Sequence, residues 1–274
     1  MSAATTDEGW IDSFEHEAFF YADSDDFLEG TVPFLLEGAR NDEAMLVAVP
    51  EPRLDALRHE LAGATDSVVF VDMGQVGRNP AHIIPAWADF LQANGNGAAP
   101  VRGIGEPIWA GRPPDEMIEC QRHESLLNVA FAGSGSWKLL CPYDTAALPA
   151  DVIEEAARSH PWVSGSELGR RRSRDCRDLP TMAAPFEGPL PPAPDDASTF
   201  AFDLVNLHLV RRHVAVVAAA NGLSMRRVEE LVLAAHELAS NSVRHAGGRG
   251  VLRMWNDAWT VVCEVSDCGR IEHA

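Results

Sequence analysis

A proline-rich break divides this chain and limits what it can fold into. From Thr181 to Ser198 it reads TMAAPFEGPLPPAPDDAS. Prolines remove backbone donors and favour extended backbone, and few residues in the stretch could fill a core. The break predicts two domains, residues 1–163 and 200–274, joined by a linker over residues 164–199. A length of 274 residues suits two domains of ordinary size.

The two sides of the break carry different patterns. Before it, short runs rich in apolar and β-branched residues fall at Ala18–Tyr21, Met45–Val49, Val68–Asp72, Val101–Ile104 and Trp137–Cys141. Helical periodicity fills the gaps at Phe27–Arg40, Pro52–Leu61, Ala81–Ala93, Asp115–Phe131 and Ala150–Ser159. Such alternation predicts an α/β fold, a mostly parallel sheet with helices on both faces. After the break the order changes. Phe202–Ala220 reads as a helix stopped by Asn221-Gly222, and Ser224 is placed to cap a second helix, Met225–His245, closed by Gly247-Gly248. Two strands follow, Val251–Trp255 and Thr260–Val265, with a hairpin turn at Asn256-Asp257-Ala258. This is an α+β pattern.

Charge and cysteine usage exclude several classes. With 22 basic and 41 acidic side chains, the net charge is −19. A surface so acidic repels phosphate backbones, so no direct nucleic-acid partner is expected. The basic cluster Arg170-Arg171-Arg172-Ser-Arg174, with Arg177 after it, is expected to be a solvated part of the linker. Cys120, Cys141, Cys176, Cys263 and Cys268 form no CxxC pair, which predicts reduced thiols rather than a disulfide framework or a zinc motif. Met1–Trp10 lacks the basic and apolar regions of a signal peptide, and no apolar run reaches the ~18 residues of a membrane span. A cytoplasmic protein is expected, with no membrane partner.

On the second predicted helix of the C-terminal part, Glu237, Asn241 and His245 recur every fourth residue and share one face. Val228, Leu231, Ala235, Leu238 and Ser242 define a different, mostly apolar face expected to pack on the sheet. A carboxylate can deprotonate a hydroxyl, and an amide oxygen suits Mg2+. The same stripe also fits a plain solvated face. His236-Glu237 is not HExxH, because Ser240 stands where the second histidine belongs. Gly103-Ile-Gly105 has no third glycine, and there is no P-loop and no G-x-S-x-G elbow. Farther on, Asp267-Cys-Gly269 offers an acceptor beside a small residue at a strand end.

The segment LAAHELASNSVRHAGG (residues 233–248), two strands and then Asp267-Cys-Gly269 together resemble the anti-sigma-factor branch of the histidine-kinase-like (Bergerat) ATPase family. The resemblance covers Phe200–Ile271. It implies ATP and Mg2+ as cofactors, with Asn241 on the metal, Asp267 and Gly269 at the adenine and His245 near the phosphates. It also implies that Glu237 is the general base toward a partner's serine hydroxyl, the partner being a sigma factor or an anti-anti-sigma protein. In that family a lid, a second glycine box, a strand and a helix follow, whereas Ala274 comes five residues after Gly269. An incomplete ATPase domain is therefore expected.

Before the break, the stretches Phe19-Phe-Tyr21, Gly30-Thr-Val-Pro-Phe34, Arg102-Gly-Ile-Gly-Glu-Pro107, Glu119-Cys-Gln-Arg-His-Glu124, Leu140-Cys-Pro-Tyr-Asp144 and His160-Pro161 resemble the MEDS sensory domain. That resemblance implies a RecA-like sheet and small-molecule sensing. Ligands of open α/β sheets gather at the carboxyl ends of strands. Glu106, His123, Glu124 and Asp144 are therefore expected to line one pocket. Each also fits a structural role, such as a turn-forming Asp or a core His. The combined expectation is a signalling regulator, able to form a homodimer, with a sensory domain coupled to a serine-kinase-like module. The alternative is a non-enzymatic sensory or docking protein with a vestigial ATPase half. A sensor histidine kinase fits less well, because the linker leaves little room for a phosphoacceptor hairpin and His208 and His213 lack an acidic neighbour.

Overall fold

The computed structural model describes residues 14–61, 67–94, 100–166, 168–182, 184–186, 188, 190–257 and 260–269. Its contacts divide the chain into two units, Met1–Gly188 and Pro189–Ala274.

The first unit alternates strand and helix. Its elements are β1 (Phe14–Tyr21), α1 (Ser24–Arg40), β2 (Ala44–Val49), α2 (Glu51–Glu60), β3 (Val68–Asp72), α3 (Met73–Val76) and α4 (Ile83–Asn94). After these come β4 (Val101–Gly105), α5 (Pro114–Ala130), β5 (Trp137–Asp144), α6 (Ala150–Ser159), β6 (Trp162–Gly165) and β7 (Arg171–Arg172). The strands form one sheet in the order β3-β2-β4-β5-β1-β6-β7, parallel except for β7. Successive residues of a strand point to opposite faces. Ala18, Leu46, Ala48, Leu139, Cys141 and Tyr143 accordingly pack on one side with Trp87 of α4, Leu127 of α5 and Val152 of α6. Phe19, Tyr21, Met45, Val47, Ile104 and Leu140 pack on the other with Phe27 of α1 and Leu54 of α2. Burial on both faces explains why these strands read as unbroken apolar runs.

Gly103 and Gly105 have a packing role. A Cβ on Gly103 would lie 2.5 Å from the Trp87 ring, and one on Gly105 would lie 3.0 Å from it. Their bare backbone lets the Trp87 indole of α4 approach β4 closely.

The second unit contains β8 (Ser198–Asp203), α7 (Leu207–Ala220), α8 (Met225–His245), β9 (Arg249–Asp257) and β10 (Thr260–Ser266). The strands form an antiparallel sheet in the order β10-β9-β8. Phe202, Leu252 and Met254 of the sheet pack against Val210 and Val214 of α7 and against Val228, Ala235 and Ala239 of α8.

Several sequence expectations need correction. Residues 164–199 are not linker throughout, since they end β6, supply β7 and begin β8. The basic cluster within them is not simply solvated. Arg170 donates to Glu17 and Glu15 at 2.6 Å each and lies over the Trp162 ring, and Arg177 donates to Glu155 at 2.7 Å. These acidic neighbours, set on β1 and α6, neutralise the arginines and draw the segment onto the first unit. Phe202 belongs to a strand rather than to the start of a helix. The Asp203 carboxylate accepts from the Val205 and Asn206 amides, turning the chain so that α7 begins only at Leu207. Ser224 stands at the N-cap of α8, but its side chain makes no capping hydrogen bond. At the expected hairpin turn, Asn256 and Asp257 belong to β9, and Ala258 lies outside the described residues.

Candidate functional site

In the second unit, α8 supplies the groups that face a possible ligand. Its buried line runs through Val228, Ala235, Ala239 and Ser242. Leu238, expected on that line, is 52% exposed. At 100° per residue Ala239, not Leu238, falls on the side that meets the sheet. Glu237, Asn241 and His245 are all exposed, so the polar stripe stays open to solvent. The Asn241 side chain makes no hydrogen bond with any described residue, which leaves its amide oxygen available.

The loop after β10 approaches this helix. The Ser242 hydroxyl donates to Asp267 Oδ2 at 2.6 Å, and the Gly269 amide donates to Asp267 Oδ1 at 2.8 Å. The carboxylate is thus fixed by one bond on each oxygen and keeps acceptor capacity on both. A Cβ on Gly269 would lie 2.5 Å from the Ala246 methyl, so only glycine lets the loop run this close to the end of α8. Asp267 opens into a cavity of about 480 Å3 with Phe202, Asp203, Arg249, Gly250 and Ser266. The arrangement sets a fixed carboxylate acceptor beside a partly apolar cavity.

The first unit does not unite the four residues expected to form one pocket. Glu106 and Asp144 do meet at the carboxyl ends of β4 and β5. The Arg53 guanidinium contacts Glu106 and reaches Asp144 at 3.4 Å, while stacking over the Tyr21 ring at 4.6 Å. The Tyr21 hydroxyl donates to Glu106 at 2.9 Å. Burial and the Asp144 carboxylate push the Glu106 carboxyl well above its usual range. Asp144 also caps the next turn, accepting from the Ala146 and Ala147 amides.

Glu124 lies on the opposite face of the sheet. It is fully buried against His16 at 3.3 Å and His160 at 3.1 Å, and the Cys141 thiol lies 3.3 Å from His16. His123, its neighbour on α5, turns about 100° away and sits against its own helix, with Nδ1 2.7 Å from the Glu119 carbonyl. Burial and the neighbouring His160 push His16 down to about 4. Arg53, Tyr21, His16, Cys141 and His160 were not singled out as site residues from the sequence. No spacing rule links positions that only the sheet brings together.

The chain thus carries a mostly parallel α/β unit followed by an antiparallel three-stranded sheet with two helices. Two family models match the chain: MEDS (methanogen/methylotroph, DcmR sensory domain) over residues 15–161, and the histidine kinase-like ATPase domain over residues 200–273. The first covers more than half of the chain, which therefore belongs to the MEDS family. No curated protein and no solved structure gave a match. The pairing of these domains indicates signalling, and the second indicates ATP binding. No described helix is long and apolar enough to cross a membrane.

Proposed function

We propose that this chain is a signalling regulator of two parts. The MEDS unit receives a small-molecule signal, and the second unit is a serine-kinase-like module of the anti-sigma-factor type that uses ATP and Mg2+. The observation that supports it best is the Ser242–Asp267 hydrogen bond. It fixes an adenine acceptor to the same helix that presents Glu237, Asn241 and His245 to solvent.

Each residue has a task in this reading. Asp267 accepts from the base amino group, and Ser242 and Gly269 hold that carboxylate in place. Asn241 offers its amide oxygen to the cation, and His245 lies one turn farther along, toward the phosphates. Glu237, exposed and unpaired by any described cation, accepts the proton of a serine hydroxyl on a sigma factor or an anti-anti-sigma protein. ATP, when bound, supplies the phosphoryl group, and Mg2+ offsets its charge. Leu233 and Leu238, 58% and 52% exposed, give the partner apolar surface on the same helix.

The test is binding of a fluorescent ATP analogue to the full chain, with and without Mg2+. Binding should require Mg2+ and weaken at least about tenfold in Asp267→Asn, which loses a charged acceptor for about 1.5 kcal/mol or more. Asn241→Ala should lose the Mg2+-dependent binding. A well-folded chain that binds no nucleotide would instead make this a docking protein with an inert second unit.

A further inference from the structure

The group around Glu124 is drawn from four elements: His16 on β1, Glu124 on α5, Cys141 on β5 and His160 just after α6. One ligand atom from each lies within 4.8 Å of all the others, and every residue is buried, at 0–1% exposure. The proposed ATP-side site makes no use of it.

The surrounding hydrogen bonds decide which ring nitrogens carry protons. Asn128 Nδ2 lies 2.8–3.3 Å from the carbonyl oxygens of Glu124, Ser125 and Ser159, which its two N–H groups serve, so its oxygen must be the atom facing His16 Nδ1 at 3.2 Å. That oxygen can only accept, which puts the His16 proton on Nδ1. His160 Nδ1 lies 2.8 Å from the Ala156 carbonyl, again an acceptor, so His160 is also protonated at Nδ1. Both Nε2 atoms, the ring positions not used in those hydrogen bonds, then point at one carboxylate oxygen, Glu124 Oε2. His16 Nε2, His160 Nε2, Glu124 Oε2 and Cys141 Sγ thus converge in a buried site, with approaches of 3.1–3.3 Å.

A divalent cation at the centre turns every one of these contacts into a favourable one. We infer that His16, Glu124, Cys141 and His160 form a closed four-ligand zinc site in the core of the sensory unit. Two imidazoles, a thiolate and a carboxylate suit Zn2+. The closest approaches between ligand atoms, 3.1–3.3 Å, are near the edges of about 3.3–3.7 Å of a tetrahedron with zinc–ligand bonds of ~2.0–2.3 Å. Asn128 and the Ala156 carbonyl supply the outer hydrogen bonds that aim ligating histidines. Binding releases the Cys141 thiol proton and leaves the histidines neutral, so two anionic ligands balance the ion's charge. With no ligand open to solvent, the ion enters as the unit folds and ties β1, β5, α5 and the end of α6 together.

The experiment is elemental analysis of the full chain purified without chelator, followed by refolding with Co2+ as a spectroscopic substitute. The expected result is about one zinc ion per chain, and a cobalt spectrum with tetrahedral d–d bands and a thiolate charge-transfer band. Cys141→Ser should remove the thiolate band. A folded, metal-free chain whose melting temperature is unmoved by zinc or chelator would overturn the site. A thiolate band that persists in a folded Cys141→Ser protein would overturn it too, by moving the metal to another cysteine. If that variant fails to fold, the zinc content and cobalt spectrum of the unaltered chain still decide.

Discussion

Arg102 is among the largest fully buried side chains, and its charge is met from three sides. Nε and Nη2 donate to Glu43 at 2.6 and 3.1 Å, while Nη1 donates to Glu37 at 3.0 Å and to the Phe34 carbonyl at 2.7 Å. Removing one partner of such a buried pair strands the other charge, which typically costs about 3–5 kcal/mol. Arg102→Met should lose about that much in urea unfolding, and Arg102→Met with Glu43→Gln should recover a large part of it. A double variant no more stable than the single one would show that the pair is not coupled. Burial works to raise Glu43, but the guanidinium outweighs it and holds the carboxyl below its ordinary value. A depressed carboxyl contributes stability that is complete above its unfolded pKa of about 4.3 and is lost as pH falls through the folded value. The first unit should therefore weaken on acidification below about pH 4, and Arg102→Met should flatten that slope. Gly103 gives a simpler case. Gly103→Ala forces a methyl onto Trp87 and should cost about 1–3 kcal/mol by the usual penalty for overpacking.

Elements show what could be read in the sequence and what could not. The α8 stripe of Glu237, Asn241 and His245 is local: helical spacing alone places three side chains on one flank, and they are exposed there. The strands β1, β2, β4 and β5 are legible because parallel burial writes continuous apolar runs, and the edge strand β3 is legible from its β-branched and aromatic run Val68–Val71 alone. The strand β8 is not, because its partner β9 lies some fifty residues downstream and its own six residues adjoin the prolines. The period-two pair Phe200 and Phe202 runs into Leu204 and Leu207, which let a helical reading absorb it. The strand β6 is hidden because it has only four residues, WVSG, of which one is buried, too few to show a period. The His16–Glu124–Cys141–His160 group is the extreme case: each residue is unremarkable on its own element, and only strand register puts Cys141 beside Ala18, two residues from His16. Hydrogen exchange tests the β8 assignment. Ladder amides of residues 198–203 should be slowed together with their β9 partners. Amides there that exchange as fast as those of the proline-rich residues 190–194 would return the segment to the linker.

Over the whole molecule, the cores stay within the two contact units. Two clusters built on the parallel sheet belong to the first unit, and one built on β8, β9, α7 and α8 belongs to the second. A chain with separate cores is expected to unfold in two calorimetric steps rather than one. The two proposed ligands should then act on different steps, because a ligand stabilises what binds it by RT ln(1 + [L]/Kd). A nucleotide analogue with Mg2+ at a hundred times its Kd should stabilise the second unit by about 2.7 kcal/mol, and the tenfold weaker binding of Asp267→Asn should cut that to about 1.4 kcal/mol or less. A zinc chelator should lower the first unit's transition, and Cys141→Ser should mimic it. Cross-effects carry the functional content. A signalling protein needs the state of its sensory unit to alter the other, so a metabolite that stabilises the first unit should change the nucleotide affinity of the second, and the nucleotide should change the metabolite's affinity by the same factor. Strictly additive shifts from every metabolite that binds would leave two domains that share a chain without sharing information.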